Sequence, residues 1–131
     1  MANNKNKNKN KNKIKILVIE DNADLVDMYK FKLEREGYFV DIAKDGEQGL
    51  LKATEISPDL ILLDILTPNM DGWEVLTALK NNTSLKSKVI IVSNLGEQEQ
   101  VDRAKKLGVD GYLIKANYTP GELVMKIKEF L

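Results

Sequence analysis

The sequence predicts a doubly wound α/β domain, a five-stranded parallel sheet in (βα)5 order with helices on both faces. Three observations carry that expectation. Five short runs are largely apolar: "IKILVI", "YFVDIA", "DLILL", "KVIIVS" and "GYLI". Such runs are what strands buried on both faces require. Each is followed by a stretch with helical periodicity and a start or stop signal. Runs and stretches alternate strictly, the pattern of βαβ units in a parallel sheet.

The first strand spans residues 14–19. Asn22 stands where a cap is needed for a helix reaching Glu36, with Leu25, Met28, Tyr29 and Leu33 as its inner face and Gly37 as its stop. Residues 38–43 form a second strand. A helix over 46–56 carries Leu50, Leu51 and Ala53, and Pro58 lies beyond its end. Residues 59–63 form the third strand, followed by a loop over 64–71 and a helix bearing Trp73, Val75, Leu76 and Leu79. The fourth strand is 88–93. The helix over 97–107 has a thin apolar stripe, Val101, Ala104 and Leu107, and stops at Gly108. After a last strand over 111–114, Thr119, Pro120 and Glu122 supply an N-cap, a first-turn proline and the acid of a capping box.

Length and composition narrow the function. A chain of 131 residues is sized for one domain. Residues 1–13, "MANNKNKNKNKNK", hold five lysines and no acid. This low-complexity stretch has nothing to bury and reads as a disordered tail, leaving 14–131 as the folded domain. The formal charge of zero therefore hides 15 basic against 20 acidic side chains in the remainder. An acidic domain argues against nucleic acid as a direct partner. Cysteine is absent, which excludes disulfides, a thiolate nucleophile and thiol-ligated zinc. Histidine is absent too, removing the usual general base and the commonest metal ligand. The run "IKILVI" meets Glu20 after six residues, too short for a signal-peptide core or a membrane span, so the protein is expected in the cytoplasm.

The polar residues that interrupt this pattern share one place. Glu20 and Asp21 follow the first strand, Asp64 ends the third, Ser93 ends the fourth and Lys115 follows the fifth. In a parallel sheet these ends lie on one edge, where such folds bind their ligands. Each residue alone has a plain reading: a helix start, a turn serine, a solvated lysine. Asp64 resists one, because a chain does not ordinarily deliver a carboxylate to the end of an apolar strand without a partner. Three carboxylates repel, and a divalent cation with the Lys115 ammonium would offset that. Magnesium suits the set, since it takes a few carboxylates and keeps several waters. Asp64 is then a nucleophile. The cation, Lys115, the Ser93 hydroxyl and loop N–H groups would surround an incoming phosphoryl group.

At these residues the chain resembles the response-regulator receiver domains of two-component signalling, the CheY-like branch of the flavodoxin-like folds. The resemblance covers residues 14–131 and rests on "VIEDNADL", "LILLDILTPNMDGWEVL", "VIIVSN" and "GYLIK". It implies that Asp64 accepts a phosphoryl group from a partner's phosphohistidine, on a sensor histidine kinase or a histidine phosphotransfer protein. It further implies Mg2+ bound by Asp21 directly, by Glu20 mostly through water, by Asp64 and by the Leu66 backbone carbonyl. Ser93 corresponds to the switch hydroxyl, Lys115 to the family's lysine and Tyr112 to the switch aromatic, although an aromatic there also reads as packing. Leu66 and Leu95, two beyond Asp64 and Ser93, occupy positions that tune loss of the phosphoryl group. Two positions depart from the pattern: Ala116 where proline is usual, and Asn94 where a small residue is usual. With Ala116 a trans bond and a differently held Lys115 loop are expected.

Because the chain ends with its fifth helix, a stand-alone receiver is expected. It would be a signalling switch rather than an enzyme on a separate substrate, with protein–protein output to an unspecified target or onward phosphoryl transfer. It would be a monomer or a weak phosphorylation-dependent dimer. Three rivals fit less well. An aspartate-based phosphatase carries its nucleophile after the first strand as Asp-x-Asp. A flavin carrier needs a Ser/Thr/Gly-rich phosphate loop where this chain has "EDNADL". A degenerate docking receiver would lack a reactive position, and none is missing.

Overall fold

The computed structural model describes residues 13–131; the tail expected over 1–13 lies outside them apart from Lys13. The elements are β1 (Lys15–Ile19), α1 (Ala23–Arg35), β2 (Phe39–Ala43), α2 (Gly46–Ile56), β3 (Leu60–Leu63), α3 (Gly72–Asn81), β4 (Lys88–Ser93), α4 (Gln98–Lys106), β5 (Gly111–Ile114) and α5 (Pro120–Lys128). The five strands form one parallel sheet in the order β2-β1-β3-β4-β5. Strand order therefore reverses beside β1, and the predicted doubly wound architecture is observed.

Alternation along the strands feeds two cores. Leu17, Ile19, Ile61, Leu63, Val89 and Ile91 point to one face, under Ala53 of α2, Val75, Leu76 and Leu79 of α3, and Ala104 of α4. Ile16, Val18, Leu60, Leu62, Ile90 and Val92 point to the other, under Tyr29 and Leu33 of α1 and Leu123, Val124 and Ile127 of α5. Side chains stand on alternate sides of a strand, so a strand apolar at every position needs helices above and below.

Caps set the helix starts. Asn22, Asp45 and Asp71 each accept a backbone N–H of the following turn, from Leu25, Gln48 and Trp73 at 3.0, 2.8 and 2.9 Å. Thr119 and Glu122 form the expected capping box. Gly37 and Gly108 follow α1 and α4 with positive φ, as glycines after a helix do.

Some details differ from expectation. Leu51 is not an inner residue of α2: it is 62% exposed, and Gly46, Gly49 and Ala53 form the buried line. The helix lies so close to β1 that a Cβ on Gly49 would stand 2.5 Å from Ile19 Cδ1, so a small residue, not a leucine, faces the sheet. In α1, Val26 is buried while Leu25 and Met28 are less so. The second strand begins at Phe39, leaving Tyr38 in the turn. A 3₁₀ turn, Lys115–Asn117, joins β5 to the α5 cap, where the sequence gives no helical signal. Among the described residues no helix is long and apolar enough to cross a membrane.

Candidate functional site

The sheet ladder continues past the ends of its strands and places the first acidic groups. The Glu20 N–H donates to the Ala43 carbonyl at 2.9 Å, and the Asp64 N–H donates to the Ile19 carbonyl at 3.1 Å. Glu20 and Asp64 are thereby fixed at the carboxyl ends of β1 and β3, with 2% and 6% of their surface exposed. Asp21, one residue further, is exposed. One carboxylate oxygen from each of the three lies within 4.8 Å of the others.

Lys115 joins two members of this cluster. Its Nζ stands 2.6 Å from Asp64 Oδ2 and 2.6 Å from Glu20 Oε1. The second oxygens are held by backbone: Asp64 Oδ1 accepts the Leu66 N–H at 3.0 Å, and Glu20 Oε2 accepts the Asn22 N–H at 3.1 Å. Burial raises the Glu20 carboxyl above the ordinary value, against the lowering effect of Lys115 and of the Asn22 N–H. Burial alone would lower Lys115, but its hydrogen bonds to Asp64 and Glu20 outweigh that and raise it.

Three carboxylates against one ammonium leave an excess of negative charge among hard oxygen donors. That donor set fits a divalent cation of the magnesium kind, and Glu20, Asp21 and Asp64 are the side chains able to hold it.

Ser93 is fully buried at the end of β4, paired in register with Ile114, the residue before Lys115. Its Oγ accepts the Leu95 N–H at 3.3 Å. Tyr112 is half-buried, and its hydroxyl donates to the Leu95 carbonyl. Burial, then the charges of Asp64 and Glu97, raise its phenol. The leucines differ: Leu66 is 58% exposed on the loop beside Asp64, while Leu95 packs against the core under α3. The Lys115–Ala116 bond is trans, as expected.

Two features escaped sequence reading. The Ala116 N–H donates to Asn94 Oδ1 at 3.0 Å, so the two positions that depart from the family pattern touch each other. Tyr29, expected only as packing, buries its hydroxyl without a hydrogen-bond partner among the described residues. Burial first, then the charges of Glu20 and Asp64, raise that phenol above its ordinary value. A tyrosine on an otherwise aliphatic helix face was the available signal.

Fold and site together define an α/β protein with a buried carboxylate and a lysine at the carboxyl edge of its sheet. The chain matches the response regulator receiver domain over residues 16–128 and belongs to that family. It is thus a receiver domain of the kind found in two-component response regulators. It is 36% identical over 115 residues to the alkaline phosphatase synthesis transcriptional regulatory protein PhoP of Bacillus subtilis, covering 88% of this chain and 47% of that protein. The chain spans about half the length of the curated relatives it matches. Among solved structures it resembles a CheY-like receiver domain from Methanospirillum hungatei, at 33% identity with a TM-score of 0.80, over 89% of this chain and 92% of that one. It also resembles the response regulator Rcp1 in its Mn2+-bound form, at 27% identity with a TM-score of 0.75, over 86% and 88% of the two chains.

Proposed function

We propose that Asp64 is a phosphoacceptor and that the protein works as a two-component signalling switch in the cytoplasm. The single observation behind this reading is the Asp64 carboxylate, buried at the tip of β3 and held by Lys115 at 2.6 Å beside Glu20 and Asp21. The donor is a phosphohistidine on a sensor histidine kinase or a histidine phosphotransfer protein. An Asp64 oxygen attacks phosphorus, the O–P bond forms as the N–P bond breaks, and the departing imidazole nitrogen keeps the electron pair.

Glu20, Asp21, Asp64 and the Leu66 carbonyl would hold Mg2+, which supplies charge neutralisation at the transferring group. The Mn2+ held by Rcp1 supports a divalent ion here. Lys115 would steady the phosphoryl oxygens, and the Ser93 hydroxyl at the end of β4 would donate to them. Tyr112 shares the loop of Ser93 through the Leu95 carbonyl, so a shift of Ser93 reaches β5 and the surface beside α5. Output is a change in protein–protein contact, including weak self-association, or onward transfer to a histidine; catalysis extends only to the protein's own modification. The acidic balance of the domain favours protein over nucleic acid as its direct partner.

Incubation with acetyl phosphate and Mg2+, followed by intact mass, tests this. One phosphoryl group should be gained, and both EDTA and Asp64→Asn should abolish the gain. A gain that persists after the Asp64→Asn substitution overturns the assignment.

A further inference from the structure

We infer that Asn94 is a positioning residue for the phosphoryl-transfer site, fixing the turn that carries Lys115 to the end of β4. This inference rests on Asp64 being the phosphoacceptor. Asn94 directly follows Ser93, and its Oδ1 accepts the Ala116 N–H at 3.0 Å. Ala116 directly follows Lys115 in the 3₁₀ turn Lys115–Asn117. One side chain therefore links the neighbours of two reactive groups. The first N–H groups of a helical turn have no partner inside it. Asn94 supplies one from the loop after β4, which is possible only because residue 116 is not proline and has an N–H to give.

The link acts where the site must stay constant while its charges change. Before transfer, Asp64 and Glu20 together hold the Lys115 ammonium, each at 2.6 Å. Once Asp64 carries the phosphoryl group as an acyl phosphate, its carboxylate charge no longer anchors Lys115, and the ammonium has to meet phosphoryl oxygens instead. Its reach is then set by the backbone of the turn. That backbone is held by the Ser93–Ile114 pairing at its base, by the Tyr118 N–H on the Lys115 carbonyl at 3.2 Å, and by Asn94. Only the last connects the residue after the lysine to the residue after the serine. Asn94 thus keeps ammonium and hydroxyl in register as the phosphoryl group arrives, a placement to which transfer rates are sensitive.

The test uses the full chain, Mg2+ and acetyl phosphate. Asn94→Leu keeps the size and removes the acceptor. The initial phosphorylation rate at saturating donor should fall by about two- to tenfold, the worth of one hydrogen bond. The donor concentration at half-saturation should not change. The unfolding midpoint should not change either, because the contact is exposed and water replaces it. In an Ala116→Pro background, where the N–H is gone, the same substitution should do nothing further. Asn94→Asp keeps an acceptor oxygen and should recover most of the rate in salt that screens its charge. A rate equal to the parent's in Asn94→Leu, an equal loss in both backgrounds, or no recovery with Asp overturns the inference. Should the proline variant not fold, the Ala116 amide resonance decides: it must shift in Asn94→Leu and return toward the parent's in Asn94→Asp. A parent that gains no phosphoryl group overturns the phosphoacceptor reading instead, and the same resonance still tests the contact.

Discussion

Glu20 and Asp64 are nearly buried, and neither is left as an uncompensated charge because Lys115 serves both. Removing one partner from such a group leaves the others to bear the full desolvation cost. The residues around Asp64 also bear on how long a phosphoryl group would last. Hydrolysis needs a water in line with the O–P bond, oriented or deprotonated by a neighbour. Leu66 stands on the adjacent loop, 58% exposed and so not committed to packing, and it can do neither. Leu95 packs inward and offers only backbone groups, its N–H to Ser93 and its carbonyl to Tyr112. A long-lived phosphoaspartate is the expected outcome. Leu66→Asn combined with Leu95→Gln should speed the loss of phosphate, by up to about 10²-fold if both new groups reach the water. Following phosphate release from parent and double variant checks this, and equal rates would remove the argument.

Helix α4 buries the fewest residues of the five α-helices. Ala104 is its only buried residue, Val101 and the following Leu107 are half-buried, and Glu97 makes no side-chain cap bond. Little apolar burial and a missing cap place an element at the low end of local stability. It also reaches α3 through Arg103, whose guanidinium lies 4.2 Å from the centroid of the Trp73 ring. Such stacking at an exposed site contributes about 0.5–1 kcal/mol. Any shift of α4 must therefore move a cation relative to the chain's single tryptophan. Beryllofluoride with Mg2+ should change Trp73 emission in the parent, and Arg103→Ala should remove most of that change without preventing phosphorylation. Hydrogen exchange should report the same event as altered protection over 98–106, together with Ser93 and Tyr112. Changes confined to the Asp64 loop would contradict it.

At the scale of the molecule, parallel pairing brings the carboxyl ends of β1, β3, β4 and β5 to one edge, and the site is assembled from all four. Close packing supports it: a Cβ on Gly72 would stand 2.3 Å from the Ile65 carbonyl oxygen, so the start of α3 is pressed against the residue after Asp64. A site built from four strand ends exists only in the folded chain, so a ligand bound there stabilises the whole fold. Mg2+ at a hundredfold excess over its dissociation constant should add about 2.7 kcal/mol to unfolding stability. Asp21→Asn should remove most of that gain. Asp21 is exposed, so the ion-free variant should stay within about 0.5 kcal/mol of the parent. Denaturant titrations with Mg2+ and with EDTA measure both quantities, and an undiminished Mg2+ effect in the variant would exclude Asp21 as a ligand.

The five strands, the five helices and most of their ends were legible in the chain itself. Uniform apolar runs, the caps at Asn22 and Thr119 and the stops at Gly37 and Gly108 are local signals with local causes. The same reading brought Glu20, Asp21, Asp64, Ser93 and Lys115 to one edge, because in a parallel sheet all carboxyl strand ends share one edge. Which residue of a helix faces the sheet was decided elsewhere. The close approach of α2 to Ile19 selects Gly49 and turns Leu51 to solvent, a matter of distance between elements that no periodicity contains. The sharing of Lys115 between two carboxylates, the bond from Ala116 to Asn94 and the stack of Arg103 on Trp73 likewise join residues far apart in sequence. A hydrogen bond or an ion pair is set by ångström-scale geometry across the sheet edge. Sequence spacing determines which groups arrive there, and only the packed tertiary structure decides which of them meet.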